Sequence, residues 1–405
     1  MKVLSINVSN YGSTGNIMLN ISKEIRKRGF RSVVCYANSK SNRKKYVKGD
    51  ILIGNRIERF LSSFLERITG SIGLFNYFGT LSFLKRIKKY SPDIIHLHNI
   101  HGSFINFRLL FNFIKKHNTR IVWTLHDCWT FTGRCPYFDL TKCSLWQSGC
   151  SKCLYPKNSY PETKRCDTGK MWLKKRESFL GVKSLVLVTP SLWLAKLVSK
   201  SFLKNYRTIV INNGIDLSVF KPNIECVECL ANIPLTKHIV LGVASIWEER
   251  KGIDDFLELA KLLPKNYIVV LIGTVCREKR VNYPNVIYVD NVKNQNELAK
   301  FYTRADVFVN TTREDNFPTV NIESLACGTP VITYDTGGSP EIIDCNSGRV
   351  VSCGDIASLR EEVIGICEKG LELTNFCLER SKEFSSHKKY AEYVDLYLSL
   401  LMEDY

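Results

Sequence analysis

The chain alternates short apolar runs with longer segments in which apolar residues recur at helical spacing. Val3–Val8, Arg31–Ala37 and Lys183–Thr189 have the length and apolar content of buried strands. Strands separated by amphipathic helices predict βαβ units and a parallel sheet. A chain of 405 residues is too long for one ordinary core. We therefore expect an α/β protein with two doubly wound domains.

The stretch Arg313–Ile343, REDNFPTVNIESLACGTPVITYDTGGSPEII, carries the strongest local pattern. It follows a short apolar run that has the length of a strand. Pro318 is suited to a helix start and Gly328 to a helix stop. A second strand at 330–334 and a tight loop at 336–340 complete a strand–helix–strand–loop–helix unit. Ligands of such units bind at the carboxyl ends of the strands.

Acidic side chains and a glycine loop are predicted to lie at that edge. A carboxylate near a helix start can accept two hydrogen bonds from a ribose diol, and another can hold sugar hydroxyls. Glycines let backbone N–H groups approach a phosphate at a helix N-terminus. The candidates are Glu314, Asp315, Glu323, Gly337, Gly338 and Ser339. Together they predict a nucleotide-sugar site, although each alone is also compatible with a solvated helix residue or a plain turn.

The first half of the chain offers weaker candidates at strand ends. A glycine loop containing Gly12, Ser13 and Gly15 follows the first strand and precedes an amphipathic helix. His98 and His126 follow two later apolar runs, where active-site residues of this architecture lie. His96, inside a run, is expected to be a core histidine. The alternatives are a plain turn and a structural histidine.

Charge is distributed unevenly. Residues 1–222 hold 38 Lys and Arg against 11 Asp and Glu, a net charge of +27, whereas residues 223–405 hold 19 against 28, a net charge of −9. The basic half indicates an anionic partner. Within residues 40–90, arginines and lysines interleave with apolar residues at helical spacing, a pattern that suits a helix lying on an anionic membrane surface. An ordinary helix packed on the sheet remains the alternative.

Six of the 15 cysteines lie within residues 128–166, a stretch without regular apolar pattern. Four of them, Cys135, Cys143, Cys150 and Cys153, follow the spacing C-x7-C-x6-C-x2-C. The final pair matches the spacing that places two thiolates on one tetrahedral zinc ion. We predict a structural zinc site, with Cys128 or Cys166 able to replace one ligand. Disulfides or merely buried thiols are the alternatives.

The sequence shows no signal-peptide pattern and no apolar run as long as a membrane span. We therefore expect a cytoplasmic protein that binds peripherally to the inner face of the plasma membrane.

The stretch 313–343 resembles the donor-site signature of glycosyltransferase family 4, retaining enzymes of the GT-B fold. The shared features are an acid, seven residues and then Glu323, followed by a small-residue stretch and Gly-Gly-x-Pro-Glu. Strict spacing aligns Asp315 with the first acid, and Glu314 is the alternative sugar ligand. The resemblance implies two Rossmann-like domains facing a cleft, 1–222 and 223–385. It also implies a last helix, about 386–405, that crosses back onto the first domain.

The resemblance also implies residue roles. Lys251 would bind the donor diphosphate. Arg250 would act with it, although the family's arginine lies about five residues before the lysine, where this chain has Ser245 and Ile246. His126 would lie close to the reacting sugar. The loop of Gly12 would face the acceptor.

The predicted reaction is transfer of a sugar from a nucleoside-diphosphate donor to a saccharide. The resemblance implies that this reaction needs no catalytic metal, and we expect no protein nucleophile. The resemblance suggests surface-polysaccharide assembly on a lipid carrier in a bacterium. One alternative is a nucleotide-sugar 2-epimerase of the same fold. The other is a basic nucleic-acid-binding protein, although no nucleic-acid-binding module accompanies the charge.

Overall fold

The computed structural model describes residues 1–153, 163, 167–225, 227, 230, 233–234 and 236–403. It divides into two compact units, Met1–Asn212 with Lys389–Tyr405, and Asn213–Lys388. The division precedes the predicted linker at residue 222. The reason is that Ile215 already exchanges backbone hydrogen bonds with Phe384 and Ser386, at 2.9 and 2.7 Å.

The first unit is built on a seven-stranded parallel sheet in the order β3-β2-β1-β4-β5-β6-β7. Its strands are β1 Lys2–Asn7, β2 Arg31–Ala37, β3 Ile51–Ile53, β4 Ile94–Leu97, β5 Arg120–Thr124, β6 Leu185–Thr189 and β7 Arg207–Val210. Its helices are α1 Gly12–Lys27, α2 Lys40–Lys44, α3 Arg56–Thr69, α4 Tyr77–Tyr90, α5 Phe107–His117, α6 Thr168–Phe179 and α7 Leu192–Val198. The central strands are apolar throughout because helices cover both faces of a parallel sheet.

The second unit has a six-stranded parallel sheet in the order β10-β9-β8-β11-β12-β13. Its strands are β8 His238–Trp247, β9 Tyr267–Val275, β10 Val286–Val289, β11 Val307–Asn310, β12 Val331–Tyr334 and β13 Gly348–Val351. Its helices are α8 Ile253–Leu262, α9 Gln295–Arg304, α10 Thr319–Ala326, α11 Ile356–Lys369 and α12 Thr374–Lys382. The fold class predicted from the sequence, α/β with two doubly wound Rossmann-like sheets, is confirmed.

Two edge strands, β3 and β13, were not predicted from the apolar pattern. Each is short, and β13 places Val350 partly in solvent, with 45% of its surface exposed. Short edge strands pair on one side only, so their sequences lack the continuous apolar run of a central strand.

The last helix, α13 (Ser386–Met402), packs on the first unit. Tyr390, Val394 and Tyr397 are buried in a cluster that includes residues of β1, β4, β5 and β6. The Tyr397 hydroxyl lies 2.8 Å from His96 Nδ1, and His96 Nε2 lies 2.8 Å from Thr124 Oγ1. His96 is therefore a fully bonded core histidine, as predicted. Burial lowers its pKa to about 3, so the ring is neutral.

Candidate active site

A lysine and an aspartate meet at the carboxyl edge of the second sheet. Lys251 ends a short 3₁₀ helix, Glu249–Lys251, after β8, and Asp315 lies in the loop after β11. Lys251 Nζ is 2.9 Å from Asp315 Oδ2, and each side chain is about 20% exposed. Strands β8 and β11 are neighbours in the sheet, which is why residues far apart in sequence come together here.

The loop that carries the acids is fastened to the residues around Lys251. Arg250 Nη1 donates to the carbonyl of Glu314 at 3.0 Å, and its Nε lies 3.2 Å from Glu248 Oε1. Arg313 Nη2 donates to both carboxylate oxygens of Asp255 on α8, at 2.7 and 2.8 Å. Glu314 is 7% exposed, so Asp315 is the more accessible acid.

The glycine loop after β12 packs directly on the acid loop. Gly337 has a φ of +57°, and a Cβ atom there would lie 1.7 Å from the Asp315 carbonyl oxygen, so only glycine fits. The N–H of Gly338 donates to Asn316 O at 2.9 Å, and that of Ser339 to Thr336 O at 3.1 Å. These two N–H groups are therefore engaged within the protein. In this arrangement neither N–H is free to donate to a phosphate, and the phosphate-binding role of the loop stays a prediction.

Glu323 lies within α10 and is 9% exposed. The hydroxyl of the fully buried Tyr302, on α9, donates to Glu323 Oε2 at 3.2 Å. Burial removes water from the carboxylate and raises the pKa of Glu323 to about 7. Hydrogen bonds from a ligand's hydroxyl groups would stabilise the charged form of this buried carboxylate.

The first unit places two predicted histidines in contact. His98 follows β4 and His126 follows β5, the neighbouring strand, so that His98 Nδ1 lies 3.0 Å from His126 Nε2. Burial lowers the pKa of His126 to about 4 and holds the pKa of His98 well below its ordinary value. Both rings are therefore neutral near pH 7, and one donates to the other. A neutral imidazole can exchange hydrogen bonds with a sugar hydroxyl.

Sequence reasoning missed the ion pair next to these histidines. His101 Nε2 lies 3.1 Å from Asp127 Oδ2, and Asp127 Oδ1 accepts from the Trp129 N–H at 2.9 Å. Asp127 directly follows His126 in the sequence. An acidic residue at this strand end was a signal from which a partner such as His101 could have been sought.

The glycine loop after β1 lies at the same edge of the first sheet. Gly12 and Ser13 are exposed at the start of α1, whereas Gly15 is buried. A Cβ atom at Gly15 would lie 2.9 Å from the backbone carbon of Asn10, so this glycine serves close packing. Of the three predicted residues, Gly12 and Ser13 are therefore the ones that a ligand can reach.

The described residues 128–153 of the cysteine-rich segment are held together by aromatic packing. Phe131, Phe138 and Trp146 are buried, and the Trp146 ring centroid lies 5.2 Å from each phenyl centroid. Lys175 Nζ, fully buried, donates to the carbonyls of Trp129 and Thr132 at 2.5 and 3.0 Å. These contacts form a small core that the irregular apolar pattern of the sequence did not predict.

The four predicted zinc ligands are not gathered into a metal site. Cys150 Sγ accepts from the Gly133 N–H at 3.1 Å, and Cys143 and Cys150 pack against the apolar core. Among the described residues, no three Cys, His, Asp or Glu side chains are grouped so that they could hold a metal. Cys166 lies outside the described residues. The zinc hypothesis stays a prediction, which metal analysis of the purified protein tests.

Comparison with known proteins adds the family. Residues 14–219 match the family described as Glycosyltransferase Family 4, and residues 231–384 match Glycosyl transferases group 1. The chain is 26% identical over 348 residues to the colanic acid biosynthesis glycosyl transferase WcaC of Escherichia coli K12, covering 81% of this chain and 82% of that protein.

Solved structures share the fold. Sucrose-phosphate synthase from Thermosynechococcus elongatus has a TM-score of 0.73 and 17% identity, over 99% of both chains. HepE from Anabaena, solved in complex with UDP-glucose, has a TM-score of 0.66 and 14% identity, over 98% of this chain and 100% of that one. In the part of the chain that the structure describes, no helix is both long and apolar enough to span a bilayer.

These neighbours confirm the GT-B fold class. The family match over residues 14–219 spans half of the chain, and the second match covers the unit that holds the Lys251–Asp315 pair. The chain belongs to glycosyltransferase family 4 and is a glycosyltransferase.

Proposed function

We propose that the enzyme moves a sugar from a nucleoside-diphosphate-sugar donor to a hydroxyl of a saccharide acceptor, with retention of anomeric configuration. The observation that carries this is the Lys251–Asp315 pair, 2.9 Å apart beside the Gly337 loop. An ammonium and a carboxylate at one sheet edge suit a diphosphate and sugar hydroxyls respectively. That HepE was solved with UDP-glucose supports a donor of this class.

The chemical barrier lies in breaking the bond between the sugar and its diphosphate. Negative charge gathers on the leaving phosphate, and Lys251, with Arg250 beside it, is placed to stabilise that charge. Asp315, more accessible than Glu314, holds sugar hydroxyls, and Glu323 accepts from the ribose diol. The departing phosphate takes the proton of the acceptor hydroxyl, so no protein nucleophile and no catalytic metal are required.

The His98–His126 pair belongs to the acceptor-side unit in this proposal. Because both rings are neutral near pH 7, His126 can donate or accept a hydrogen bond without placing a second positive charge beside the sugar. The exposed Gly12–Ser13 turn, at the same sheet edge, is where an acceptor saccharide would make backbone contacts.

We further propose that the acceptor is lipid-linked and that the product is a bacterial surface polysaccharide. The description of WcaC as a colanic acid biosynthesis enzyme supports the product class. No observation on the described residues favours the 2-epimerase or nucleic-acid-binding alternatives.

Helix α3 supports attachment to an anionic membrane at the cytoplasmic face. Ile57, Phe60 and Phe64 are 75%, 73% and 56% exposed, whereas the polar Ser62 and Glu66 on the same helix are buried. A contiguous exposed apolar patch marks an interaction surface. Phe78, 75% exposed on α4, and the basic α2 segment extend this surface, so its chemistry matches a bilayer with anionic headgroups.

Vesicle co-sedimentation tests the membrane proposal. Binding should rise with the fraction of anionic lipid and fall as salt is added, because exposed charges are screened within about 8 Å at physiological ionic strength. A Phe60→Ser/Phe64→Ser variant should lose most of this binding. Leu192→Ser, which removes an apolar side chain 56% exposed on α7, is the matched control. Equal binding to neutral and anionic vesicles would contradict the proposal.

A thermal-shift screen of nucleoside diphosphates and their sugars tests the donor class. A ligand at about 100 times its dissociation constant should add roughly 2.7 kcal/mol to the free energy of unfolding. The nucleotide that raises the melting temperature is then offered with candidate sugars in a transfer assay. The proposal fails if no nucleoside diphosphate shifts the transition.

A further inference from the structure

The first unit contains a cavity of about 440 Å³ between α3 and the loops that follow β4 and β5. Arg59 and Arg67 of α3 line one side, and His101, Asp127 and Trp129 line the other. Its volume lies in the range of ligand pockets, roughly 300–1,000 Å³. Because Asp127 directly follows His126, the cavity adjoins the sheet edge that carries the His98–His126 pair.

The cavity wall has hydrogen-bond donors that the protein does not use. Among the described residues, neither Arg59 nor Arg67 has a carboxylate oxygen within 4.0 Å. Arg59 Nε and Trp129 Nε1 are buried and have no hydrogen-bond partner in the described part of the chain. A buried donor without a partner is destabilising, so such groups mark a place where a ligand supplies the acceptor.

The two carboxylates of the cavity already accept hydrogen bonds from protein donors. Asp127 accepts from His101 and from the Trp129 N–H, at 3.1 and 2.9 Å. Glu66 accepts from the Gly73 N–H at 2.8 Å and from the Ser103 hydroxyl. The unpaired groups that remain are cationic or neutral donors, which suit phosphate oxygens.

The Trp129 side chain is held in place from behind. Lys175 Nζ lies 3.6 Å from the centroid of the Trp129 ring and bonds to the Trp129 carbonyl. The orientation of this indole is therefore fixed before any ligand binds, which lowers the entropy cost of using its N–H.

Helix α3 carries apolar side chains beside its arginines. Arg59, Ser63 and Arg67 recur at a spacing of four and so form one row along the helix. Phe60 and Phe64 lie seven and three residues before Arg67, so these exposed apolar side chains border that row. One helix thus presents unpaired arginines to a cavity and exposed apolar side chains next to them. A ligand that combines a phosphate with a long apolar chain matches both.

We propose that this cavity binds the phosphate groups through which the acceptor saccharide is attached to its lipid. The inference rests on the proposed lipid-linked acceptor and names the residues that recognise its charged part. Arg59 and Arg67 bind the phosphate oxygens, Trp129 adds a neutral donor, and the apolar face of α3 contacts the lipid chain.

Isothermal titration of the full-length protein with three probes tests the assignment. Farnesyl diphosphate has both the phosphates and the apolar chain, farnesol lacks the phosphates, and inorganic pyrophosphate lacks the chain. We expect farnesyl diphosphate to bind at least about tenfold more tightly than either of the other two probes. Arg59→Gln/Arg67→Gln should weaken its binding by about tenfold or more, since each arginine makes charge-assisted hydrogen bonds.

Arg56→Gln is the matched control, because it removes the same charge from the same helix at a position outside this cavity. If the double variant does not fold, the single variant Arg67→Gln replaces it in the titration, because Arg67 is exposed and its substitution should not disturb the fold. Unchanged binding of farnesyl diphosphate by both arginine variants would overturn the assignment. If farnesol bound equally well, the site would be an apolar surface that does not recognise phosphate. If pyrophosphate bound equally well, the site would not recognise a lipid chain. Either result would overturn the proposal.

Binding of nucleoside diphosphates by the same variants separates this assignment from the proposed function. A variant that loses farnesyl diphosphate but keeps the nucleotide-induced thermal shift supports a distinct phosphate site. If no nucleotide binds but farnesyl diphosphate binding still depends on Arg59 and Arg67, the phosphate site is supported and only the donor proposal fails.

Discussion

Lys251→Met should lower the turnover number for sugar transfer by about 10²–10³-fold, the usual cost of removing one group that stabilises developing charge. Methionine keeps most of the side-chain length and removes only the ammonium that lies 2.9 Å from Asp315. The donor affinity should fall much less, because the charge on the leaving phosphate is largest in the transition state. Steady-state kinetics combined with titration of the nucleoside diphosphate measure both quantities.

The matched control for this prediction is Lys279→Met. Lys279 Nζ pairs with Asp254 at 2.6 Å in the same unit, but both side chains are about half exposed, and such surface pairs contribute little. We expect wild-type kinetics from this variant. If Lys251→Met also transferred sugar at the wild-type rate, the assignment of the leaving-group site would be wrong.

Glu323→Gln should stabilise the ligand-free protein at alkaline pH and weaken donor binding. The pKa of Glu323 is raised from an ordinary value of 4.5 to about 7, so between these values the folded state binds more protons than the unfolded state. Wild-type stability therefore falls as pH rises through this window and is lowest above it. Glutamine carries no such penalty, and the gain well above pH 7 should be on the order of 3 kcal/mol.

Urea unfolding at several pH values measures the stability effect, and the two proteins should converge below about pH 4.5. Nucleotide affinity should move in the opposite direction, because a neutral amide accepts the ribose diol less strongly than a carboxylate. In the wild type, affinity should rise as pH passes through about 7. Glu368→Gln, at an exposed position of α11, should change neither property. If Glu323→Gln bound the nucleotide with wild-type affinity, the assignment of Glu323 to the ribose would be wrong.

The central strands could be predicted from the sequence because buried strands of parallel sheets are continuous apolar runs, whereas the short edge strands β3 and β13 could not. Asp315 was singled out from its place after a strand, and Lys251 from the family resemblance. The structure brings the two side chains together at the edge shared by β8 and β11, and their role toward a donor stays a prediction. Gly337 was predicted to make a tight loop, and its close approach to Asp315 O gives the reason.

Tertiary contacts decided the features that the sequence could not reveal. The helical spacing in α3 indicates two faces, but the burial of Glu66 follows from its bonds to Gly73 and Ser103. Those bonds turn the apolar face outward. Lys175 is another example, because lysines are seldom fully buried, and only the folded chain shows the carbonyls that surround its ammonium.

The place of α13 in the first unit has a consequence for synthesis on the ribosome. Strand β4 buries His96 against Tyr397, which leaves the ribosome 301 residues after it. At roughly 5–20 residues per second, the first sheet is complete about 10–40 s before that helix emerges. During that interval the nascent first unit exposes the apolar surface that α13 later covers, whereas the second unit can fold as soon as Lys388 is free. The first unit, whose sheet is translated before the second unit, is thus completed after it.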